Sequence, residues 1–238
     1  MNIFVTGTQS NIGKTFVTAA LASIMQSLSY KTAVYKPVQL GAYEQNTFMV
    51  APDMGYVKSI DPYITTETTY LLKSNMSPVI AAEMENVKIN PKEIKKDYSM
   101  LVNKFDTVLV EGTGGLLTPI APRFTMANLV NMLNIPLVII TSANNESVNN
   151  TILVVNHAKA MGIKVNGIIV NKYPEDNEDI GIKNVPRLIE EYTDASVVGI
   201  IKELSGYEEM SPASIIDNVL NGVDIEKVFD IKIPKLEV

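Results

Sequence analysis

Short apolar runs alternate along the chain with stretches in which apolar residues return every three or four positions. Residues 2–6 read as a buried parallel strand. From Thr15 to about Leu28, the residues Phe16, Ala19, Ala20, Ala22, Ile24 and Met25 fall at helical spacing. Lys31 to Val38 is a second strand, ended by Lys36-Pro37 because proline cannot continue a central ladder. Gln39 to Pro62 is polar and irregular, long enough for a functional loop or a short helix. Residues 65–86 mix short apolar pieces, with Ser77-Pro78 marking a helix start. Pro91 to Phe105 is a charged amphipathic helix, and Asp106 to Val110 is a third buried strand. A short helix follows over Thr125–Leu133, then a fourth strand over Pro136–Ser142 and a helix over Asn144–Met161. Val165–Val170 is a fifth strand, Asp179–Tyr192 a helix, Ser196–Ile200 a sixth strand, and the tail from Ser211 carries one or two short helices. Strands alternating with helices, with no repeat or linker, predict an α/β fold. It would be a doubly wound, mostly parallel sheet with helices on both faces, forming a single domain over residues 1–238.

The junction of the first strand and helix carries chemistry. Gly7-Thr8-Gln9-Ser10-Asn11-Ile12-Gly13-Lys14-Thr15 has the grammar of a phosphate-binding P-loop. Phosphate oxygens need many donors at close range, which backbone N–H groups supply where no side chain intervenes. Lys14 adds a positive charge for the terminal phosphates, and the Thr15 hydroxyl is a ligand for Mg²⁺. The usual pattern has glycine at position 8, where this chain has Thr8, so Gly7 stands one residue early. Two further residues end strands on the same side of the sheet. Lys36 points toward the phosphates, where ligands bind in open α/β sheets. Glu111, followed by Gly112-Thr113-Gly114-Gly115, takes the position of a carboxylate that holds Mg²⁺ directly or through water.

Composition narrows the partners. The net charge of −6 and the lack of a Lys/Arg-rich block argue against nucleic acid. Without cysteine there is no disulfide, thiolate metal site or cysteine nucleophile. No basic leader precedes the first strand, and no apolar run approaches about 18 residues, which predicts a cytoplasmic protein with no membrane partner. The single histidine, His157, falls in a predicted helix. To this point the residues support a Mg²⁺-dependent nucleotide triphosphatase or phosphotransferase, with the acceptor open.

Taken together the motifs resemble those of dethiobiotin synthetases. The loop from Gly7 to Thr15 is similar to that family's offset P-loop, G-T-D-T-x-V-G-K-T, and the early glycine is the family's habit. Tyr35-Lys36-Pro37-Val38, the loop aspartate Asp53, Ser77-Pro78-Val79-Ile80-Ala81-Ala82, Val110-Glu111-Gly112-Thr113-Gly114-Gly115, Phe124-Thr125-Met126-Ala127 and Val170-Asn171 also match, covering roughly residues 1–200. The resemblance implies an ATP-dependent cyclo-ligase of biotin biosynthesis. The substrate 7,8-diaminononanoate takes up CO₂ as a carbamate, the γ-phosphoryl passes to the carbamate oxygen, and the second amine closes the ring and expels phosphate. Lys14, Lys36 and Ser10 would serve this chemistry, and Thr15, Asp53 and Glu111 would ligate Mg²⁺. Gln9, Ser10, Asn11, Ile12, Gly13, Lys14 and Thr15 would cradle ATP, with Asn171 at the base edge. Lys36, Leu40, Thr113 and Gly114 would contact the acceptor, as would Ser147, Val148 and Asn149 at a helix N-terminus. The resemblance also implies a homodimer with substrate at the interface.

Several positions depart from the family pattern. Asn11 stands where glutamate is common, Leu40 replaces a serine, and Asn145-Glu146-Ser147-Val148-Asn149-Asn150 replaces L-G-x-I-N-H. Glu146 would bring a carboxylate to a site expected to hold the acceptor's own. After the sixth strand, Gly199-Ile200-Ile201-Lys202 replaces G-x-I-P. These departures keep open a relative acting on another acceptor. A nucleotide-dependent switch ATPase is the other alternative, disfavoured by Gln9 where partitioning ATPases carry a signature lysine.

Overall fold

In the computed structural model, which describes residues 1–144, 146–174, 179–203 and 210–233, a seven-stranded sheet forms the centre. Its strands are β1 (Asn2–Gly7), β2 (Thr32–Tyr35), β3 (Thr65–Glu67), β4 (Thr107–Gly115), β5 (Leu137–Ser142), β6 (Val165–Tyr173) and β7 (Val197–Lys202). All pair in parallel, in the order β7-β6-β5-β1-β4-β2-β3. The helices are α1 (Lys14–Ser27), α2 (Pro52–Ile60), α3 (Pro78–Met84), α4 (Pro91–Val102), α5 (Met126–Leu133), α6 (Ser147–Ala160), α7 (Ile180–Lys183), α8 (Val185–Thr193), α9 (Pro212–Gly222) and α10 (Ile225–Phe229).

Side chains alternate between two cores, as the two-residue period of a strand requires. Phe4, Val108, Val110, Ile139 and Val170 face the layer that contains α4, α5, α6 and α8. Ile3, Val5, Leu109, Val138 and Ile169 face α1, α2, α9 and α10. Coverage on both faces explains why the inner strands read as unbroken apolar runs. Each such fully buried side chain contributes roughly 1.5–3 kcal/mol of burial.

The predicted fold class holds, and four local readings change. Lys31–Val38 is not one strand: β2 stops at Tyr35, and Val38–Gln39 leaves the sheet to pair with Tyr70–Leu71. Gln39–Pro62 is an antiparallel hairpin, Tyr43–Gln45 with Phe48–Val50, followed by α2. A seventh strand, β3, lies at the sheet edge beside β2, where half-exposed Thr65-Thr66-Glu67 needs no apolar run. The helix expected over Asp179–Tyr192 is broken into α7 and α8 at Asn184, because Pro186 cannot donate to a continuous helical ladder.

The sheet order determines where ligands meet the fold. From β1 the sheet extends to β5 on one side and β4 on the other, so a crevice opens at the carboxyl ends beside β1. The loop after β1, Lys36 after β2, and Glu111 in β4 come together there, since β4 lies between β1 and β2.

Candidate active site

The loop 8–13 is shaped by its left-handed residues. Asn11 has φ 58° and Gly13 φ 87°, an alternation that forms anion-binding concavities of backbone N–H groups. Asparagine tolerates this conformation better than the glutamate expected by resemblance, which gives Asn11 a backbone reason. Gly13 has no room for a side chain: a Cβ there would stand 2.3 Å from Asn171 Nδ2. The misfit Thr8 also has a role that its sequence context did not reveal. Its N–H donates to Ile140 O at 3.0 Å and its hydroxyl lies 3.2 Å from Thr141 Oγ1, docking the loop on the end of β5.

Lys14 opens α1 with its ammonium donating to Gln9 O at 3.2 Å. Burial pushes its pKa down, and the neighbouring Glu111 charge only partly opposes this. An anion beside it would favour the charged form and oppose that lowering.

The centre of the site is a buried charge cluster. Lys36 donates to Glu111 Oε1 at 2.8 Å and to Asp53 Oδ2. Thr15 Oγ1 donates to the same Glu111 oxygen at 2.8 Å. Glu111 is 0% exposed and Lys36 5%, whereas the Asp53 side chain is 32% exposed. Burial alone would lower the Lys36 pKa, but the two carboxylates, by charge and hydrogen bonding, hold it raised. Glu111 is not a strand-end residue as expected: β4 runs on to Gly115, and Glu111 pairs in register with Val5. Gln39, which sequence reasoning passed over, donates to Asp53 Oδ2 at 3.1 Å and to Leu40 O at 2.7 Å, so it fixes the aspartate. Its signal was faint, a polar residue in what read as the start of a loop.

These groups fit a divalent cation. Two carboxylates and a hydroxyl converge on one point, already visited by an ammonium, and Glu111 Oε2 is buried with no hydrogen-bond partner among the described residues. A Mg²⁺ bound by such a set completes its shell with water and phosphate oxygens.

A cleft of about 1090 Å³ lies over this cluster. Ser10, Asn11, Gly13, Lys14 and Thr15 line one part, and Lys36, Leu40, Asp53, Glu111, Thr113 and Gly114 another. Leu40 packs an apolar side chain there, and Thr113 donates to Val38 O, which ties β4 to the segment after Lys36. Asn171 reaches the cleft with its amide committed to the loop, Nδ2 donating to Ile12 O at 2.8 Å. Ile12 and Gln9 do not line the cleft: the Ile12 side chain is buried in the core, and Gln9 serves through its carbonyl.

Ser147, Val148 and Asn149 also lie outside this lining. Ser147 is buried at the start of α6, donating to Asn144 Oδ1 at 2.9 Å, and Val148 packs on the core. Asn149 and Glu146 are exposed, and Glu146 makes no side-chain cap. Thr151, 2.6 Å from Ser147 O and 3.0 Å from Thr141 Oγ1, links this helix start through Thr141 to Thr8. His157 lies half-buried in the last turn of α6, away from the cleft.

A P-loop at the switch point of a parallel sheet, with an acid in the adjacent strand, defines a nucleotide-triphosphate-dependent protein of the P-loop class. The fold alone is shared with the cell division ATPase MinD of Pyrococcus furiosus, at TM-score 0.61 and 15% identity over 96% of this chain and 98% of that one. It is likewise shared with MinD of Pyrococcus horikoshii complexed with Mg-ADP, at TM-score 0.58 and 18% identity over 92% and 86%. The profile of a family described as AAA domain matches residues 1–211. The ATP-dependent dethiobiotin synthetase BioD of Anoxybacillus flavithermus is 37% identical over 206 residues, 86% of this chain and 92% of that protein. That of Methanocaldococcus jannaschii is 30% identical over 210 residues, 87% and 96%. The chain belongs to the ATP-dependent dethiobiotin synthetase family.

Proposed function

We infer that this chain is an ATP- and Mg²⁺-dependent cyclo-ligase that converts 7,8-diaminononanoate and CO₂ to dethiobiotin. What carries this function is the convergence of Lys36, Thr15 and Asp53 around buried Glu111 beside the P-loop, in a chain of the dethiobiotin synthetase family. Bound Mg²⁺ would draw charge from the phosphate oxygens, with Thr15, Asp53 and Glu111 as its protein ligands. Lys14 and the loop N–H groups around Gly13 hold the phosphates of ATP, and Ser10 meets the terminal one. Lys36 neutralises the carbamate and the phosphoryl as they approach. One amine adds to CO₂ and loses a proton to give the carbamate. The carbamate oxygen takes the γ-phosphoryl as its bond to ADP breaks. The second amine attacks the carbonyl carbon and loses a proton, and phosphate leaves with the electron pair of the broken carbon–oxygen bond. Most of the catalysis is positioning and preorganised charge. Leu40, Thr113 and Gly114 form the wall against which the acceptor's reacting end lies, and Asn171 shapes the loop at the nucleoside end.

We further propose a homodimer of single-domain subunits in the cytoplasm. Ser147, Val148 and Asn149 lie off the cleft of their own protomer, which suits a second copy supplying the acceptor's tail site. A helix N-terminus favours a carboxylate there, and exposed Glu146 is free to turn away from it. Among the described residues no helix is long and apolar enough to cross a membrane.

Incubation with diaminononanoate, bicarbonate, ATP and Mg²⁺ is expected to yield dethiobiotin and phosphate together. Nucleotide bound without product would overturn the assignment. Sedimentation at assay concentrations is expected to give twice the 26.1 kDa chain mass.

A further inference from the structure

Lys36 stands where a divalent cation would be held. Its ammonium contacts Glu111 Oε1 at 2.8 Å and Asp53 Oδ2, and Thr15 Oγ1 donates to that same Glu111 oxygen. The carboxylates do not depend on Lys36 for their positions. Glu111 is set by the sheet register and by Thr15, and Asp53 by Gln39, itself 2% exposed. If the ammonium withdrew, both acids would stay, and the buried Glu111 Oε2 would have a cation to meet.

We propose that Lys36 is the resident cation of the metal site, occupying the place of Mg²⁺ until a metal–nucleotide complex displaces it. The proposal rests on the ligand set assigned above. Two positive charges cannot share one point between buried Glu111 and Asp53, so the divalent ion enters only as the ammonium leaves. The ammonium leaves favourably only toward another anion, and the adjoining cleft is where phosphates and an acceptor carbamate gather. Metal alone therefore binds weakly, and metal with nucleotide binds well. The same exchange moves Lys36, still protonated, to the reacting oxygens at the moment the site is loaded. A site occupied 90–99% of the time by an internal competitor loses about 10- to 100-fold in apparent affinity for the outside one.

The test is a Mn²⁺ titration of nucleotide-free protein, following free Mn²⁺ by electron paramagnetic resonance. Wild type is expected to bind Mn²⁺ weakly alone, and about 10- to 100-fold more tightly once a non-hydrolysable ATP analogue is present. Lys36→Met is expected to bind Mn²⁺ without nucleotide about 10- to 100-fold more tightly than wild type, and Lys36→Met with Asp53→Asn to lose that gain. MgCl₂ without nucleotide is expected to raise the melting temperature of Lys36→Met and leave wild type unchanged. Equal nucleotide-free affinity in wild type and Lys36→Met overturns the proposal. A tight nucleotide-free site in wild type does so as well, and needs no variant to fold. None of these readouts involves diaminononanoate or product, so they stand apart from the assignment of the reaction.

Discussion

Removing one charge from the Lys36–Glu111 pair should cost far more than removing both. The charged atoms are 2.8 Å apart, which at an effective dielectric near 20 corresponds to roughly 6 kcal/mol of attraction. Bringing two ions out of water costs several kcal/mol each, so the net worth of the pair is small although each partner is needed. Glu111→Gln leaves Lys36 with Asp53, and Thr15 still has an amide oxygen to meet, so the loss should lie near 3 kcal/mol, the lower end for a broken buried pair. Lys36→Met leaves Glu111 fully buried and Asp53 beside it with no cation, which places it at about 5 kcal/mol. The double variant removes the charge on both sides with little change of volume and should be within about 2 kcal/mol of wild type. Urea unfolding in EDTA at neutral pH, with unchanged slopes, measures all four proteins. Set against the summed single losses, a double loss of no more than about 2 kcal/mol gives an expected coupling of about 6 kcal/mol. Single losses that simply add in the double variant, or that stay below about 1 kcal/mol, would refute the claim that the pair is a buried, mutually dependent unit.

Two further outcomes follow from the geometry. Gly13→Ala forces a left-handed alanine, costing about 1–2 kcal/mol, and drives its methyl into Asn171 Nδ2. Losing the Asn171–Ile12 hydrogen bond adds about 1 kcal/mol, and nucleotide affinity measured by calorimetry should fall with stability. In alkali the protein should weaken from the ionisation of buried groups. Burial pushes the Tyr98 hydroxyl up to about 12, a hydrogen bond with Asn2 opposing it, so its contribution is complete below pH about 10 and is lost as pH rises to about 12. Lys36, also raised, acts with the same sign: its stabilisation is full below its unfolded value near 10.4 and declines above it as pH passes the folded value. Urea midpoints measured from pH about 9 to 12 should fall, and Tyr98→Phe should flatten the fall; a flat wild-type profile would contradict both assignments.

The sequence alone determined the inner strands, the first helix and the phosphate loop, because each is encoded within a short window. Apolar runs mark strands covered on both faces, and glycine, lysine and threonine at fixed spacing mark a backbone that must approach phosphate. It did not reveal β3 or the 43–50 hairpin. An edge strand of threonines and glutamate needs no apolar pattern, and the hairpin turns at Asn46 and Thr47, both at positive φ, without a glycine to announce it.

Which residues meet was a matter for the tertiary structure. Lys36 and Glu111 are 75 positions apart and touch only because β4 inserts between β1 and β2. Thr8 looked like an error in a motif until Thr141, 133 positions away, was brought beside it. Gln39 gains its role because the chain leaves the sheet at Pro37 and turns its amide toward Asp53. Local periodicity states what a segment can bury. Charge pairing in a low-dielectric site depends on ångström separations between segments, and these are decided by the order in which the strands assemble.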